Sequence, residues 1–131
     1  DSAPKALEYK NRYGVDGIMI GRASIGYPWI FREVKHYLKT GELLPGPTMS
    51  ERLEAVRMHL ERSILWKGPK VGIVEMRRHY TNYFRGLPHV KEFRNRLVTE
   101  FDHIQILSIL DEMENVYAGH DLITDQNMCA V

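Results

Sequence analysis

The stretch that decides the fold is VDGIMIGRASIG, which runs from Val15 to Gly26. Its first part, residues 15–21, is a short apolar run ending in glycine, which is typical of a β-strand buried on both faces of a parallel sheet. Helical spacing from Ser2 to Gly14 precedes it, so the two segments predict half of an α/β repeat. One buried strand cannot satisfy its own backbone groups, so we expect its neighbours to lie upstream. The absence of an initial Met agrees with a chain cut from a longer protein.

The remaining patterns are helical. Apolar residues continue at helical spacing from Pro28 to Gly41, and a proline-rich stretch follows. Thr48 and Glu51 have capping-box spacing and open the first of four helical patterns with short connections; Gly68-Pro69 ends that first helix. These patterns predict a mainly α fold, in which a four-helix-type bundle follows a remnant α-β-α piece. The predicted domains are a helix-strand-helix segment (1–40), a linker (41–49), a helical domain (50–119) and a flexible tail (120–131).

Composition limits the class of protein. The 131 residues are 44% hydrophobic, enough for a compact core without a metal or disulfide. The single cysteine, Cys129, excludes an internal disulfide and favours a reducing, cytoplasmic setting. No apolar run approaches the roughly 20 residues of a membrane helix. The six histidines lack metal-ligand spacing, so we expect no metal site.

Charge is distributed unevenly although the formal net charge is only +1. All 18 Lys and Arg lie before residue 101, and the segment from Arg62 to Arg96 contains only two acids, Glu75 and Glu92. A local positive field attracts polyanions whatever the overall charge is. Histidine and tyrosine are interleaved with the cations, which suits phosphate contacts with occasional base stacking. The alternative is that Tyr80 and Phe84 are core and the charges only solvate a helical face. The residues of the predicted RNA-binding face are Arg77, Arg78, His79, Tyr83, Arg85, Lys91, Arg94 and Arg96.

A glycine-rich turn, residues 21–26, connects the predicted strand to the next helix. Glycine allows a ligand close to the backbone, and free N–H groups at a helix start bind phosphate. On this short pattern alone, an ordinary strand-to-helix turn is an equally good interpretation.

The longer sequence around this turn distinguishes a phosphate-binding turn from an ordinary strand-to-helix turn. Asp16-Gly17-Ile18-Met19-Ile20-Gly21-Arg22-Ala23, with Gly26 and Pro28-Trp29-Ile30-Phe31, resembles the final-strand signature of bacterial tRNA-dihydrouridine synthases. Further similarity extends to about residue 118, through Gly41-Glu42, Pro45, Pro47, Arg52-Leu53, Glu75-Met76-Arg77-Arg78-His79, Tyr83, Gly86 and Phe93-Arg94.

This resemblance implies the end of a TIM-type barrel that binds FMN, followed by a helical tRNA-binding domain. Such enzymes use NADPH and reduced flavin to reduce uridines in tRNA, and a cysteine on an upstream loop supplies a proton. The resemblance implies that Gly21 and Arg22 hold the FMN phosphate, because they match the motif positions that do so in the family. The catalytic residues belong to segments upstream. Cys129 does not match the catalytic cysteine. We therefore expect the chain alone to be inactive, and to form homodimers through its uncovered barrel elements.

Two other functions remain open. A stand-alone helical RNA-binding or adaptor module would have no use for a buried strand and a phosphate turn. Another FMN-dependent barrel oxidoreductase with a small-molecule substrate would have no obvious use for basic helices. Fold analogy alone cannot separate that enzyme from one that acts on tRNA.

Overall fold

The computed structural model describes residues 2–119, and the predicted tail 120–131 with Cys129 lies outside them. The described part confirms a mainly helical chain. It divides into two compact units between Gly46 and Pro47. Its elements are α1 (Ala3–Tyr13), a short 3-10 turn (Arg22–Ser24), α2 (Ile30–Thr40), α3 (Met49–Tyr83), α4 (Lys91–Thr99) and α5 (His103–Val116). None of the helices within residues 2–119 is both long enough and apolar enough to cross a membrane.

The first unit is built on α1 and α2. Helix α1 is capped at its start by Ser2, whose side chain accepts a hydrogen bond from the Lys5 backbone, and at its end by Gly14 in the left-handed conformation. Its two buried alanines allow a close approach to α2, and the four residues of this small core are Ala3, Ala6, Ile30 and Val34.

The segment 15–21 is not a strand in the described chain, so the predicted α-β-α piece is not confirmed. A strand requires a neighbour to complete its hydrogen-bond ladder, and residues 2–119 contain no second strand. Ile18 and Ile20 instead pack against the core of the first unit, whereas Met19 between them is 95% exposed. Packed and exposed side chains therefore alternate as in a pleated strand, but only one face of the segment packs against other described residues.

The second unit is organised by α3. The predicted capping box is confirmed: the Thr48 hydroxyl accepts from the Glu51 backbone, and the Glu51 carboxylate accepts from the Thr48 backbone. Helices α4 and α5 both pack on α3 and on each other. Fully buried side chains from all three helices form the core; they include Leu53, Val56, Leu60, Ile73, Met76, Leu97, Ile106, Leu110 and Met113.

Helix α3 folds back on itself at Gly68. The backbone angles there, φ 81° and ψ 164°, are not helical, and Pro69 follows. We call residues 49–67 the first arm and residues 69–83 the second arm. The Ser63 hydroxyl of the first arm donates to the Gly72 carbonyl of the second at 3.1 Å. A Cβ atom added to Gly72 would lie 2.7 Å from backbone atoms of Ser63 and Ile64, so only glycine permits this approach.

The predicted bundle of four separate helices is not confirmed. Gly68-Pro69 does interrupt the helix, as predicted, and the non-helical backbone of Gly68 divides α3 into its two arms. Nearly the whole second unit is therefore an antiparallel arm pair with α4 and α5 packed beside it.

Candidate functional site

The predicted phosphate turn is an exposed corner of the first unit. Gly21 precedes the 3-10 turn, and its carbonyl accepts from the Ser24 backbone at 3.0 Å and from the Ser24 hydroxyl at 2.7 Å. Apart from Gly21 itself and its two chain neighbours, no described residue has an atom within 4 Å of the position that a Gly21 Cβ would occupy. Arg22 is exposed beside it. The open space beside Gly21, the exposed Arg22 guanidinium and the first N–H groups of the turn fit a phosphate group.

Four of the predicted RNA-binding cations form the accessible part of the basic surface. Arg78, Arg85 and Lys91 are exposed and Arg94 is half-buried. None of the four forms an ion pair with a carboxylate of residues 2–119. Their charges are therefore available to a polyanion without displacement of a carboxylate of the described residues.

The other two predicted arginines have internal partners. Arg96 pairs with Glu112 of α5 at 2.7 Å. The Arg77 guanidinium lies 4.4 Å from the centre of the Phe101 ring, a cation–π distance. Its Nε and one terminal nitrogen are buried without a hydrogen-bond partner among the described residues. Arg77 is consequently a packed side chain at the start of α5 rather than an extended surface charge.

Tyr83 lies in the core. It is 4% exposed, and its hydroxyl lies 3.1 Å from Nδ1 of His59 across the two arms. A base cannot stack on this ring without displacing its neighbours. Tyr83 is therefore a core residue whose hydroxyl helps to position His59.

His79 and His59 form a ring pair between the arms, with ring centres 4.6 Å apart and ring planes tilted by 58°. Burial, together with the charges of His59 and Arg78, lowers the pKa of His79 to about 4. Burial and Arg78 also lower the pKa of His59. Nε2 of His79 accepts from Nε of Arg78 at 3.2 Å, so the neutral ring carries its proton on Nδ1. At neutral pH both rings are uncharged, and the pair orients Arg78.

The same arms enclose a groove of about 430 Å³ that sequence patterns did not indicate. Trp66, 87% exposed, forms one wall, and the His59–His79 pair lies along the groove. Lys67 and Glu75 pair with each other across it. The complete lining is His59, Arg62, Ser63, Trp66, Lys67, Glu75, Met76, Arg78 and His79. In the sequence, Trp66 does not lie on the apolar stripe of the first arm, and this position could have indicated that its indole is exposed.

Arg52 is a second residue whose role was not foreseen. Its side chain is only 4% exposed, and its guanidinium donates to the backbone carbonyls of Tyr83 at 3.4 Å and Arg85 at 3.0 Å. These carbonyls lie at the last residue of the second arm and just beyond it, where helical partners are lacking. Arg52 thereby connects the start of the first arm to the end of the second, and it is structural rather than available to RNA.

The acidic face of α5 forms ion pairs with Arg57 of the first arm as well as with Arg96. Arg57 bridges Asp111 at 2.6 Å and Glu114 at 2.7 Å. These two carboxylates therefore pair with Arg57 and not with Arg78, Arg85 or Lys91. Within residues 2–119, no group of three or more His, Cys, Asp or Glu side chains is arranged to hold a metal ion.

Comparisons with known proteins agree with the residues that suggested a resemblance. The family model described as dihydrouridine synthase matches residues 2–117. A probable tRNA-dihydrouridine synthase of Rickettsia conorii is 42% identical over 90 residues, which are 69% of this chain and 27% of that protein. The tRNA-dihydrouridine synthase B of Pseudomonas aeruginosa is 43% identical over 100 residues, 74% of this chain and 30% of that protein. The protein of the same name from Xanthomonas campestris is 42% identical over 122 residues, 91% of this chain and 36% of that protein. The chain spans about a third of the length of these curated relatives.

Proposed function

Because this chain belongs to the dihydrouridine synthase family, we propose that it is the C-terminal part of a tRNA-dihydrouridine synthase, an oxidoreductase that reduces uridine to dihydrouridine in tRNA. In this proposal the second unit holds the tRNA, and the first unit completes the end of a TIM-type barrel. The catalytic residues lie in upstream segments, so the chain alone forms no dihydrouridine.

FMN is the cofactor of the proposed enzyme, and NADPH is its reductant. When bound, FMN supplies the hydride that reduces the uracil ring. The contribution of this chain is to hold the phosphate of FMN through the backbone at Gly21 and the side chain of Arg22. The exposure of both residues, and the open space beside Gly21, support this assignment. One corner of a site gives little affinity, so FMN binding requires the rest of the barrel.

A second copy of the chain is a further proposed partner. Met19 is 95% exposed and Phe31 is 48% exposed on the first unit, which also carries the half-covered segment 15–21. Exposed apolar side chains of this kind favour association. We propose that the isolated chain dimerises through this unit, which light scattering measures directly.

The observation that supports tRNA binding is a set of cations in the second unit that form no ion pair within the described residues: Arg78, Arg85, Lys91 and Arg94. Three carboxylates of α5, those of Asp111, Glu112 and Glu114, are paired with Arg57 and Arg96 and not with these four cations. Contacts of this type recognise the phosphate backbone and RNA shape rather than base sequence. A small-molecule oxidoreductase gains nothing from this surface.

The test is a charge reversal that avoids the groove and the packed arginines. Arg85, Lys91 and Arg94 are replaced together by Glu, and tRNA binding is measured at several salt concentrations. For each phosphate-binding cation removed, the slope of log affinity against log salt should fall by about 0.7–0.9. The matched control replaces Lys10, Lys35 and Lys39, three exposed cations of the first unit, by Glu. Equal loss of binding in both triple variants would mean diffuse attraction and would refute the proposed face.

A further inference from the structure

The groove between the arms of α3 is not explained by backbone binding alone. An RNA backbone needs cations, and Arg62 and Arg78 supply them, but it does not need an indole ring held out in solvent. Trp66 is 87% exposed, and its position next to the Gly68 bend separates it from the hydrophobic core. Surface tryptophan that is not covered by its own chain is a common element of sites that stack ligands.

We propose that this groove receives an unpaired nucleotide of a single-stranded RNA segment, with its base stacked on Trp66 and its flanking phosphates bound by Arg62 and Arg78. The inference rests on the proposed function and deepens it, because it separates a base-contacting site from the general basic surface. It predicts that the second unit distinguishes RNA with unpaired bases from a fully paired duplex.

The geometry of the first arm places the two kinds of contact together. Arg62 and Trp66 are four residues apart, so both project from one helical face about one turn from each other. The second arm presents Arg78 and His79 from the opposite side of the same groove. The volume of about 430 Å³ is within the usual range for small-molecule sites. A base and a sugar-phosphate group can therefore be held by one surface.

Charge in the groove favours an anion. Lys67 and Glu75 pair with each other, so their formal charges cancel locally. Arg62 and Arg78 are exposed and have no ion-pair partner within residues 2–119. The two histidines are neutral at pH 7, which leaves a net positive groove with uncharged aromatic walls. This combination of stacking surface and backbone cations is the one used for single-stranded nucleic acid.

A protein partner fits these observations less well. The groove floor offers one deeply buried apolar side chain, Met76, and its rim is polar. A protein-binding groove of similar size usually accepts apolar anchors into a row of apolar pockets. The exposed Leu65 next to Trp66 does not line the groove, so the two side chains do not form its apolar floor.

The decisive experiment compares Trp66→Ala, Trp66→Phe and Leu65→Ala. Binding of a short oligouridine and of a blunt RNA duplex is measured for each full chain. Loss of one stacked base should weaken oligouridine binding by about 5- to 150-fold in Trp66→Ala. Trp66→Phe should retain most of the affinity, and Leu65→Ala, an equally exposed neighbour, should retain all of it. The salt slope should not change in any of the three, because no cation is removed.

A spectroscopic readout separates stacking from a structural effect. In a Trp29→Phe background, Trp66 is the only tryptophan of the chain. Oligouridine should then quench its emission at the same concentrations at which binding occurs, whereas duplex RNA should not. Replacement of Arg62 and Arg78 by Gln should weaken the quenching titration and reduce its salt slope by about 0.7 for each cation.

The outcomes distinguish this inference from the proposed function. If the Arg85-Lys91-Arg94 reversal weakens tRNA binding while Trp66→Ala binds oligouridine normally, the basic face is correct and the stacking site is wrong. If Trp66→Ala weakens oligouridine binding and the reversal has no effect on tRNA, the groove is correct and the face is wrong. Unchanged RNA binding in Trp66→Ala together with a changed oligomeric state would overturn the inference in favour of a protein contact.

Discussion

Replacement of Gly72 by Ala should destabilise the second unit although it places a better helix former in a helix. Alanine is favoured over glycine in a helix interior by about 1 kcal/mol. Here the new Cβ would lie 2.7 Å from the backbone nitrogen of Ile64 and from the backbone carbon and oxygen of Ser63. These are main-chain atoms, so no side chain can rotate away to relieve the contact.

The expected magnitude follows from these two opposing effects. Overpacking costs about 1–3 kcal/mol, and contact with three rigid backbone atoms places Gly72→Ala near the upper limit. After the gain in helix propensity, a net loss of about 2 kcal/mol in the free energy of unfolding remains. The arms must also separate, which lengthens the 3.1 Å hydrogen bond between Ser63 and the residue 72 carbonyl.

Urea denaturation followed by circular dichroism measures this loss. Val74→Ala, an exposed position on the same arm, is the matched control and should change stability by less than about 0.5 kcal/mol. Because the groove lies between the arms, Gly72→Ala should also weaken binding of oligouridine more than Val74→Ala does. A variant at Gly72 that is as stable as the unmodified chain would refute the close approach of the arms and the reasoning built on it.

Three further changes test individual contacts. Arg52→Met should lower the free energy of unfolding by about 2–4 kcal/mol, because the carbonyls of Tyr83 and Arg85 lose a charged hydrogen-bond donor. Chemical denaturation measures this loss, and a much smaller loss would mean that water replaces the guanidinium at these carbonyls. Tyr80→Phe should leave the free energy of unfolding unchanged or raise it by up to about 1 kcal/mol, because the buried hydroxyl of Tyr80 has no partner among the described residues. Tyr83→Phe should instead lower the free energy of unfolding by about 1 kcal/mol, because it removes the contact with His59. Stability should fall as pH is lowered from about 6.5 towards 4, because the folded pKa of His79, about 4, lies below the unfolded value of 6.5 and the unfolded chain binds protons first. The loss should be about 1–2 kcal/mol after solvent screening of this half-exposed ring, and His79→Gln should flatten the difference in stability between pH 7 and pH 5.

Local signals determined most of the helix boundaries. Thr48 and Glu51 form the predicted capping box, Gly41 ends α2, and Gly68-Pro69 interrupts α3. Such signals act within a few residues, so they can be read from the chain itself. The motif around Gly21 and Arg22 likewise identified the family, because the residue types and their order were sufficient. The roles assigned to those two residues stay predictions.

Tertiary structure decided what those helices present to solvent. Tyr83 and Arg52 look like surface residues by type, but contacts across the arms bury both. Trp66 and His79 are thirteen positions apart in sequence and share a groove only because Gly68 reverses the chain. The segment 15–21 has the composition of a strand, yet a ladder needs a neighbour that residues 2–119 do not supply. Sequence specifies local conformation through short-range contacts, whereas a strand or a groove exists only when distant segments pack together.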